Sequence, residues 1–470
     1  MPAMKKTFFK TIAAVSCCLL LCGANAGKAK QSGATSHPPA KQSAAVIPES
    51  LFGMSVLDAE DYPAVKVGTL GHPPLTWSRL ETAKGVFAWQ VSDRAVDLAR
   101  AHGLVDSDGV ANMVFTLAGT PSWAVTDQRR CKQSFRLVHC SSAPDHIEDW
   151  REFITALVHH YNGKTAPHIK YYELWNEATA PNFWTGSPED MVRLAAVAYP
   201  IIHSDPYSLL LTPSAVGPST TPESRALAWM ASYLQAGGSK YADGGTFHGY
   251  LAMNKVTPYP MPEQDETAGC GSTPPNICAG SILTLVRNYR RVFDENGLAG
   301  KPMFNSEGSW GLDTIPDPDM QIAWLARYYL LQAGLAAENN LQLISWWAWG
   351  RPRGERHPWG SIETATGNPT AAGLAYNQLH DWIVGATISP CSLKGSVWTC
   401  TLSRPGGYEA QAVWEISRDC NNGTCSTVPY SYSSDRRFTH YKNLSGEKIR
   451  IKIGDPTIPI GAKPILLENR

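Results

Sequence analysis

The chain has no surplus of charge of either sign: 41 Lys and Arg stand against 41 Asp and Glu over 470 residues. Without a basic excess there is no global attraction to phosphate backbones or anionic bilayers. Neither nucleic acid nor a membrane surface is expected as a partner. Long apolar runs are scarce too. The one candidate, residues 11–23, is too short to span a bilayer comfortably. It follows Lys5, Lys6 and Lys10 and precedes Ala24-Asn25-Ala26, the pattern of a signal peptide (1–26) cut after Ala26. A lipoprotein reading through Cys22 is weaker, because Leu21 before it is too large. A secreted or periplasmic protein is expected, with no membrane span after cleavage. Several chemical signatures are also missing. No CxxC pair or HExxH helix offers a metal site, no glycine-rich fingerprint follows a strand to cradle a dinucleotide, and no GxSxG elbow supplies a nucleophilic serine. No cofactor and no metal are expected.

What is present suits a large folded enzyme. The apolar fraction is 43%, enough for an extensive core, and there are 16 Trp, whose rings fill cores and also stack on the apolar faces of sugars. Setting aside Cys17, Cys18 and Cys22 of the signal leaves eight of the 11 cysteines. These fall as neighbours: Cys131 with Cys140, Cys270 with Cys278, Cys391 with Cys400 and Cys420 with Cys425. An even number in an exported chain predicts disulfides, and neighbour pairing is the expectation, although sequence alone does not fix connectivity. Zinc is the rival reading at Cys140, which adjoins His139.

Residues 27–47, rich in Ala, Ser, Lys, Gln and Pro, read as a flexible linker. From 48 to 384 short apolar runs alternate with stretches of helical periodicity. Strands are predicted at 51–56, 64–70, 113–118, 169–175, 209–213, 245–250, 302–306 and 343–348. Helices are predicted at 91–102, 147–161, 190–203, 282–296 and 320–337, among others. Eight such units predict an α/β fold, a closed (β/α)8 TIM barrel, in preference to a doubly wound sheet. From 385 to 470 helical periodicity gives way to short alternating segments separated by Gly, Pro and Asn. That texture predicts a smaller C-terminal β-sandwich-type domain carrying two of the cysteine pairs.

Barrel active sites lie at the C-terminal ends of the strands. Two predicted strand ends here deliver a glutamate: Tyr171-Tyr172-Glu173-Leu174-Trp175-Asn176-Glu177 on the fourth and Pro302-Met303-Phe304-Asn305-Ser306-Glu307 on the seventh. Alternation places Glu173, Trp175 and Glu177 on one side, with Glu177 at the mouth. Two carboxylates facing each other across a cleft are what glycosidic cleavage requires: one protonates the leaving oxygen, the other attacks or stabilises the oxocarbenium.

Trp175-Asn176-Glu177, with Glu307 ending the seventh strand, resembles clan A of the glycoside hydrolases, family 39 in particular. The resemblance extends to Trp77-Ser78-Arg79-Leu80-Glu81 with Gly85-Val86-Phe87-Ala88-Trp89, to Thr120-Pro121-Ser122-Trp123, and to His248-Gly249-Tyr250. It covers most of the barrel, and a trailing β-domain suits it. It implies a retaining enzyme acting on β-glycosidic bonds of an oligo- or polysaccharide, with Glu177 as acid/base and Glu307 as nucleophile. It further implies that Asn176 binds the sugar 2-hydroxyl and that Tyr250 orients Glu307. Where the family has Asn-Glu-Pro, this chain has Asn176-Glu177-Ala178.

Other readings stand beside these. Glu363 is the rival nucleophile, otherwise a loop residue. Glu173 is expected to be a buried structural carboxylate paired with Arg79, whose charge would keep Glu307 ionised while Glu177 holds a proton. Arg79 is otherwise a structural barrel residue, and His248 either a core histidine or a ligand contact. Of Trp346, Trp347 and Trp349, one is expected to floor the sugar site and another to pack the barrel. Trp123, Trp347 and Trp349 are the aromatic substrate contacts proposed on this basis. His159-His160 reads as a polar helix face. An inverting glycosidase, or a barrel that binds sugar without catalysis, are the alternative functions.

Overall fold

The computed structural model describes residues 45–470 apart from 58–61, 72–75, 135–136, 218–223, 253–259, 265–280, 311–314, 351–359, 418–419, 422–423, 433–437 and 453–456. The signal peptide lies outside the described residues, as does the linker up to residue 44. Its last residues are held: Val46 forms an antiparallel bridge with Thr387, and Ile47 is buried.

Eight parallel strands form the central sheet: β1 Phe52–Val56, β2 Thr69–Gly71, β3 Val110–Thr116, β4 His168–Glu173, β5 Leu209–Leu211, β6 Gly245–His248, β7 Met303–Gly308 and β8 Leu341–Trp349. Their order is β6-β7-β8-β1-β2-β3-β4-β5, and a parallel bridge from Leu211 to Gly244 joins the two ends into a barrel. All eight predicted strands are found. The second is shorter than expected, because 64–68 runs as coil before β2. Among the described residues six crossover helices and one that follows β8 surround the barrel: α1 Gln90–Ala101, α2 Ile147–His160, α3 Pro188–Ile202, α4 Arg225–Gln235, α5 Ile282–Phe293, α6 Pro318–Asn339 and, after β8, α7 Ala371–Ile383. Among the described residues the β1–β2 connection carries no helix. Inside the barrel Val114, Leu211, Phe304 and Leu343 form an apolar layer with Tyr171 against it. This plug gives the open end above it a dry, rigid floor.

The C-terminal region is an antiparallel sheet built around the long pair Val397–Arg404 and Tyr408–Glu415, extended by Ile465–Glu468 and His440–Lys442. A second ribbon, Thr427–Ser431 with Thr457–Gly461, packs over it through Val413, Ile458, Ile460, Ile465 and Leu467. The result is the predicted β-sandwich type of domain.

Three of the four predicted disulfides are found. They join Cys131 to Cys140, Cys391 to Cys400 and Cys420 to Cys425, each spanning nine residues or fewer. The fourth, expected between Cys270 and Cys278, is not among them: Cys270 and Cys278 both fall within 265–280, outside the described residues. The pairing of Cys278 therefore stays an expectation from the sequence. At Cys140 the thiol that zinc would have needed beside His139 is taken, and His139 Nε2 faces the Asn182 carbonyl instead.

α6 departs from the usual one-sided helix. Fifteen of its 22 residues are buried, because the barrel covers one side and the C-terminal sheet another. Its Arg327 is wholly buried, paired with Glu263 at 3.0 Å. Stripping one partner from such a pair costs about 3–5 kcal/mol, since the other is left buried and uncompensated.

Candidate active site

β4 stops at Glu173, and the chain then turns sharply rather than continuing in alternation. Glu177 takes φ +42°, a left-handed conformation that a residue with a side chain adopts only when its surroundings impose it. Ser214, just beyond β5, imposes it: its Oγ accepts the Glu177 N–H at 3.0 Å and its carbonyl accepts the Ala178 N–H at 2.9 Å. The turn sends Trp175 away from the barrel axis, where its indole donates to the Phe183 carbonyl and packs on Trp150 and Trp184. The expected grouping of Glu173, Trp175 and Glu177 on one side therefore holds for the two glutamates and fails for the tryptophan.

On the other wall, a register shift between Phe247 and His248 sets His248 directly opposite Glu307 in the β6–β7 pairing. The imidazole ends up among three carboxylates. Its Nδ1 lies 3.0 Å from Glu177 Oε1 and 3.4 Å from Glu307 Oε2, and its Nε2 faces Glu173 Oε1 at 3.8 Å. Tyr250 donates its hydroxyl to Glu307 Oε2 at 2.9 Å. A carboxylate oxygen from Glu177, one from Glu307 and a ring nitrogen of His248 all lie within 4.8 Å of one another. Such a trio could hold a cation. The ring nitrogen at hydrogen-bond distance from Glu177 makes it at least as well suited to holding protons.

The electrostatics follow from this crowding. Burial pushes Glu307 up to about 8; the His248 charge opposes the rise, Glu177 and Glu173 add to it, and the Tyr250 hydrogen bond opposes it. Burial alone would lower His248, yet the negative charges of Glu307, Glu173 and Glu177 hold it well above its ordinary value. Burial and the adjacent Glu307 likewise raise Tyr250. Burial of Glu307 thus works against the expectation that it stays the charged member. Arg79 does not supply the anticipated relief. It sits in the short helix Trp77–Leu80 after β2, and among the described residues its guanidinium forms no ion pair, while Glu173 faces His248.

The clamp beneath these groups was not legible in the sequence. Gly249, between His248 and Tyr250, has both sides of its backbone held. Its N–H donates to Asn305 Oδ1 at 3.0 Å, and its carbonyl accepts the Tyr328 hydroxyl at 3.0 Å. Asn305 Nδ2 in turn donates to Tyr328 Oη and Gln332 Oε1, at 2.7 and 2.8 Å. A Cβ on Gly249 would come within 2.6 Å of Tyr328 Oη, and one on Gly308 within 2.0 Å, so only glycine fits either position. The sequence signal for this clamp was a pair of glycines, Gly249 inside His248-Gly249-Tyr250 and Gly308 after Glu307.

The remaining predicted residues are dispersed. Asn176 is buried immediately before Glu177 and makes no side-chain hydrogen bond among the described residues, which leaves its amide available. Trp347 packs with Tyr250, Val216 and Ala348, next to the carboxylates, and its peptide bond to Ala348 is cis. Trp349 is 1% exposed in the main core and is the tryptophan that packs the barrel. Trp346 is also internal, donating to the Gly360 carbonyl. Trp123 donates to the Glu81 carbonyl and meets Trp77 edge-on, so it braces the β2 and β3 loops. Glu363 folds into a turn through its bridge with Pro369, ahead of α7, and is not part of the carboxylate–imidazole group. His160 is not a bare polar face: Nε2 lies 2.7 Å from Asp93 Oδ1 and the ring stacks on Trp89.

No protein-family model matches the chain, and no curated protein sequence does either. Solved structures do. A family 39 glycoside hydrolase from the gut symbiont Bacteroides cellulosilyticus WH2 superposes with TM-score 0.64 at 17% identity, covering 90% of this chain and 81% of that one. A GH39 enzyme from Xanthomonas axonopodis pv. citri gives 0.59 at 16%, covering 90% and 95%. A monomeric β-xylosidase from Caulobacter crescentus CB15 gives 0.58 at 16%, covering 90% and 97%. The chain has the fold of these family 39 glycoside hydrolases, the family that its own motifs resemble.

Proposed function

We propose that the protein is a retaining glycoside hydrolase that cleaves β-glycosidic bonds in an oligo- or polysaccharide. The observation that carries this reading is the approach of Glu177 and Glu307, from the ends of β4 and β7, to within 4.8 Å between carboxylate oxygens. Retaining enzymes hold their carboxyl groups about 5–5.5 Å apart, whereas inverting ones leave about 6.5–9.5 Å for a water. Glu177 protonates the departing oxygen while Glu307 attacks the anomeric carbon. Glu177 then takes a proton from the water that releases the glycosyl-enzyme. Asn176 binds the sugar 2-hydroxyl, Trp347 meets its apolar face, and Tyr250, hydrogen-bonded to Glu307, steadies the nucleophile. With His248 facing both carboxylates, the site holds its protons as one set. An incoming glycosidic oxygen beside Glu177 draws the proton to that side.

The raised Glu307 favours a second assignment in which the two glutamates exchange roles. Azide separates them on an activated aryl β-glycoside. If Glu307 is the nucleophile, Glu307→Gly with azide yields the α-glycosyl azide and Glu177→Ala with azide the β-anomer; exchanged roles give the opposite products. NMR of the first-formed sugar tests retention itself, and an α product released initially would overturn it. Aryl β-xylosides belong in the substrate screen, since one structural neighbour is a β-xylosidase. We further propose export after cleavage at Ala26, which N-terminal sequencing of the protein recovered outside the cytoplasm would check. Among the described residues no helix is long and apolar enough to cross a membrane.

A further inference from the structure

The buried guanidinium of Arg327 has no part in the chemistry, yet it gathers three pieces of chain that are far apart in sequence. It binds Glu263 of the β6–α5 connection at 3.0 Å, the Ala462 carbonyl at 2.9 Å and the Glu415 carbonyl at 3.3 Å, the last two belonging to the C-terminal domain. From that domain Trp414 also donates its indole N–H to the same Glu263 oxygen, at 3.2 Å. Two links run from this cluster toward the catalytic carboxylates. Glu263 lies three residues after Pro260, whose carbonyl accepts the indole N–H of Trp310, three residues beyond Glu307. The next residue of α6 is Tyr328, which clamps Gly249 between His248 and Tyr250.

We propose that the C-terminal sheet is a working wall of the active-site support rather than an appended module, with Arg327 as its positioning residue. Through Glu263 it fixes residues 260–264, and by seating α6 it keeps Tyr328 on the Gly249 peptide. A planar fork that meets a carboxylate and two carbonyls at once is something lysine cannot reproduce. This inference rests on the glycosidase reading for its kinetic arm and is independent of it in its exchange arm.

In the full chain, Glu263→Gln preserves shape while removing the charge that faces Arg327. It is expected to lower kcat/KM about tenfold or more, as small displacements of catalytic groups do. Amide exchange should accelerate in 245–252 and 260–264, and Arg327→Lys should retain more activity than Arg327→Met. If Glu263→Gln does not fold, Trp414→Phe removes the indole donor, together with part of a buried ring, and is read by the same exchange measurement. Exchange that quickens only within 408–468 in either variant, or unchanged kcat/KM in folded Glu263→Gln, would overturn the proposal. A wild-type chain inactive on every glycoside would instead sink the glycosidase reading and leave the exchange result to decide this one.

Discussion

Two buried clusters in this molecule are made of the same residue types and behave oppositely. In the C-terminal sheet, Glu468 accepts from Tyr408 at 2.6 Å and from His440 at 2.9 Å, with Lys442 Nζ at 2.9 Å. Burial alone would raise Glu468, but these donors and the lysine charge bring it below its ordinary value, while burial lowers His440. In the barrel mouth, three carboxylates share one imidazole and one tyrosine, so Glu307 and His248 are both displaced upward. One carboxylate among several donors makes a stabilising joint. Three carboxylates around an imidazole and a phenol make a crowded, like-charged site. That imbalance, together with the left-handed backbone at Glu177, sets the mouth apart from the rest of the fold and is what the proposed chemistry would draw on.

The sharpest way to test the contrast is to remove the carboxylate from each cluster. On the proposed mechanism, Glu307→Gln should lose about a thousandfold or more in kcat because the covalent step disappears. Its folded state should be no less stable than wild type at neutral pH, since a crowded, buried acid has been replaced by a neutral amide. Turnover near the wild-type rate would remove Glu307 from the mechanism. Next in size is Tyr250→Phe, which deletes the hydroxyl that donates to Glu307. It should lose about ten- to a hundredfold in kcat. The acid limb of the kcat/KM profile should move to higher pH, because the bond that holds Glu307 down is gone. A profile that does not move would mean that Tyr250 is only packing. Glu468→Gln should leave kcat/KM unchanged and reduce stability by about 2 kcal/mol, the scale of hydrogen bonds to a charged group. Urea unfolding with a kinetic control would check both halves.

The barrel was legible because its signals are local. Alternating apolar strands, helical periods between them and glutamates closing two strands are each contained within about ten residues. The same holds for the three disulfides found, whose partners are near neighbours in the chain. The supports of the site were not legible, because their partners are set by closure of the barrel. Ser214 meets Glu177 across β4 and β5, Asn305 meets Gly249 across β6 and β7, and Tyr328 reaches in from mid-helix. The Arg79–Glu173 pairing failed for the same reason. Which cation faces a buried carboxylate depends on which strand lies opposite, and β6 brings His248 there. The upward shift of Glu307 was beyond sequence altogether, since it turns on how deeply that side chain is enclosed and how near other carboxylates stand.

The two clusters should also respond to pH with opposite signs. Glu307 moves from an ordinary 4.5 to about 8 on folding, so between those values the folded protein holds a proton that the unfolded chain has released. The stability linked to this group is fully present below about 4.5 and is lost as pH rises toward 8, at no more than about 1.4 kcal/mol per pH unit. His248, raised by the same neighbours, acts in the same direction. Glu468 is lowered on folding. Its contribution is present above its ordinary value and disappears as pH falls through the folded one. Unfolding wild type, Glu307→Gln and Glu468→Gln by urea at a series of pH values from 4 to 8 separates these terms. Wild type should lose ground to Glu307→Gln steadily as the pH is raised. Its advantage over Glu468→Gln should hold constant at neutral pH and shrink in acid. A wild-type to Glu307→Gln difference that stays flat across the series would mean that Glu307 is ionised in the free protein after all. The charged nucleophile expected from the sequence would then be restored, and the contrast between the two clusters would reduce to geometry.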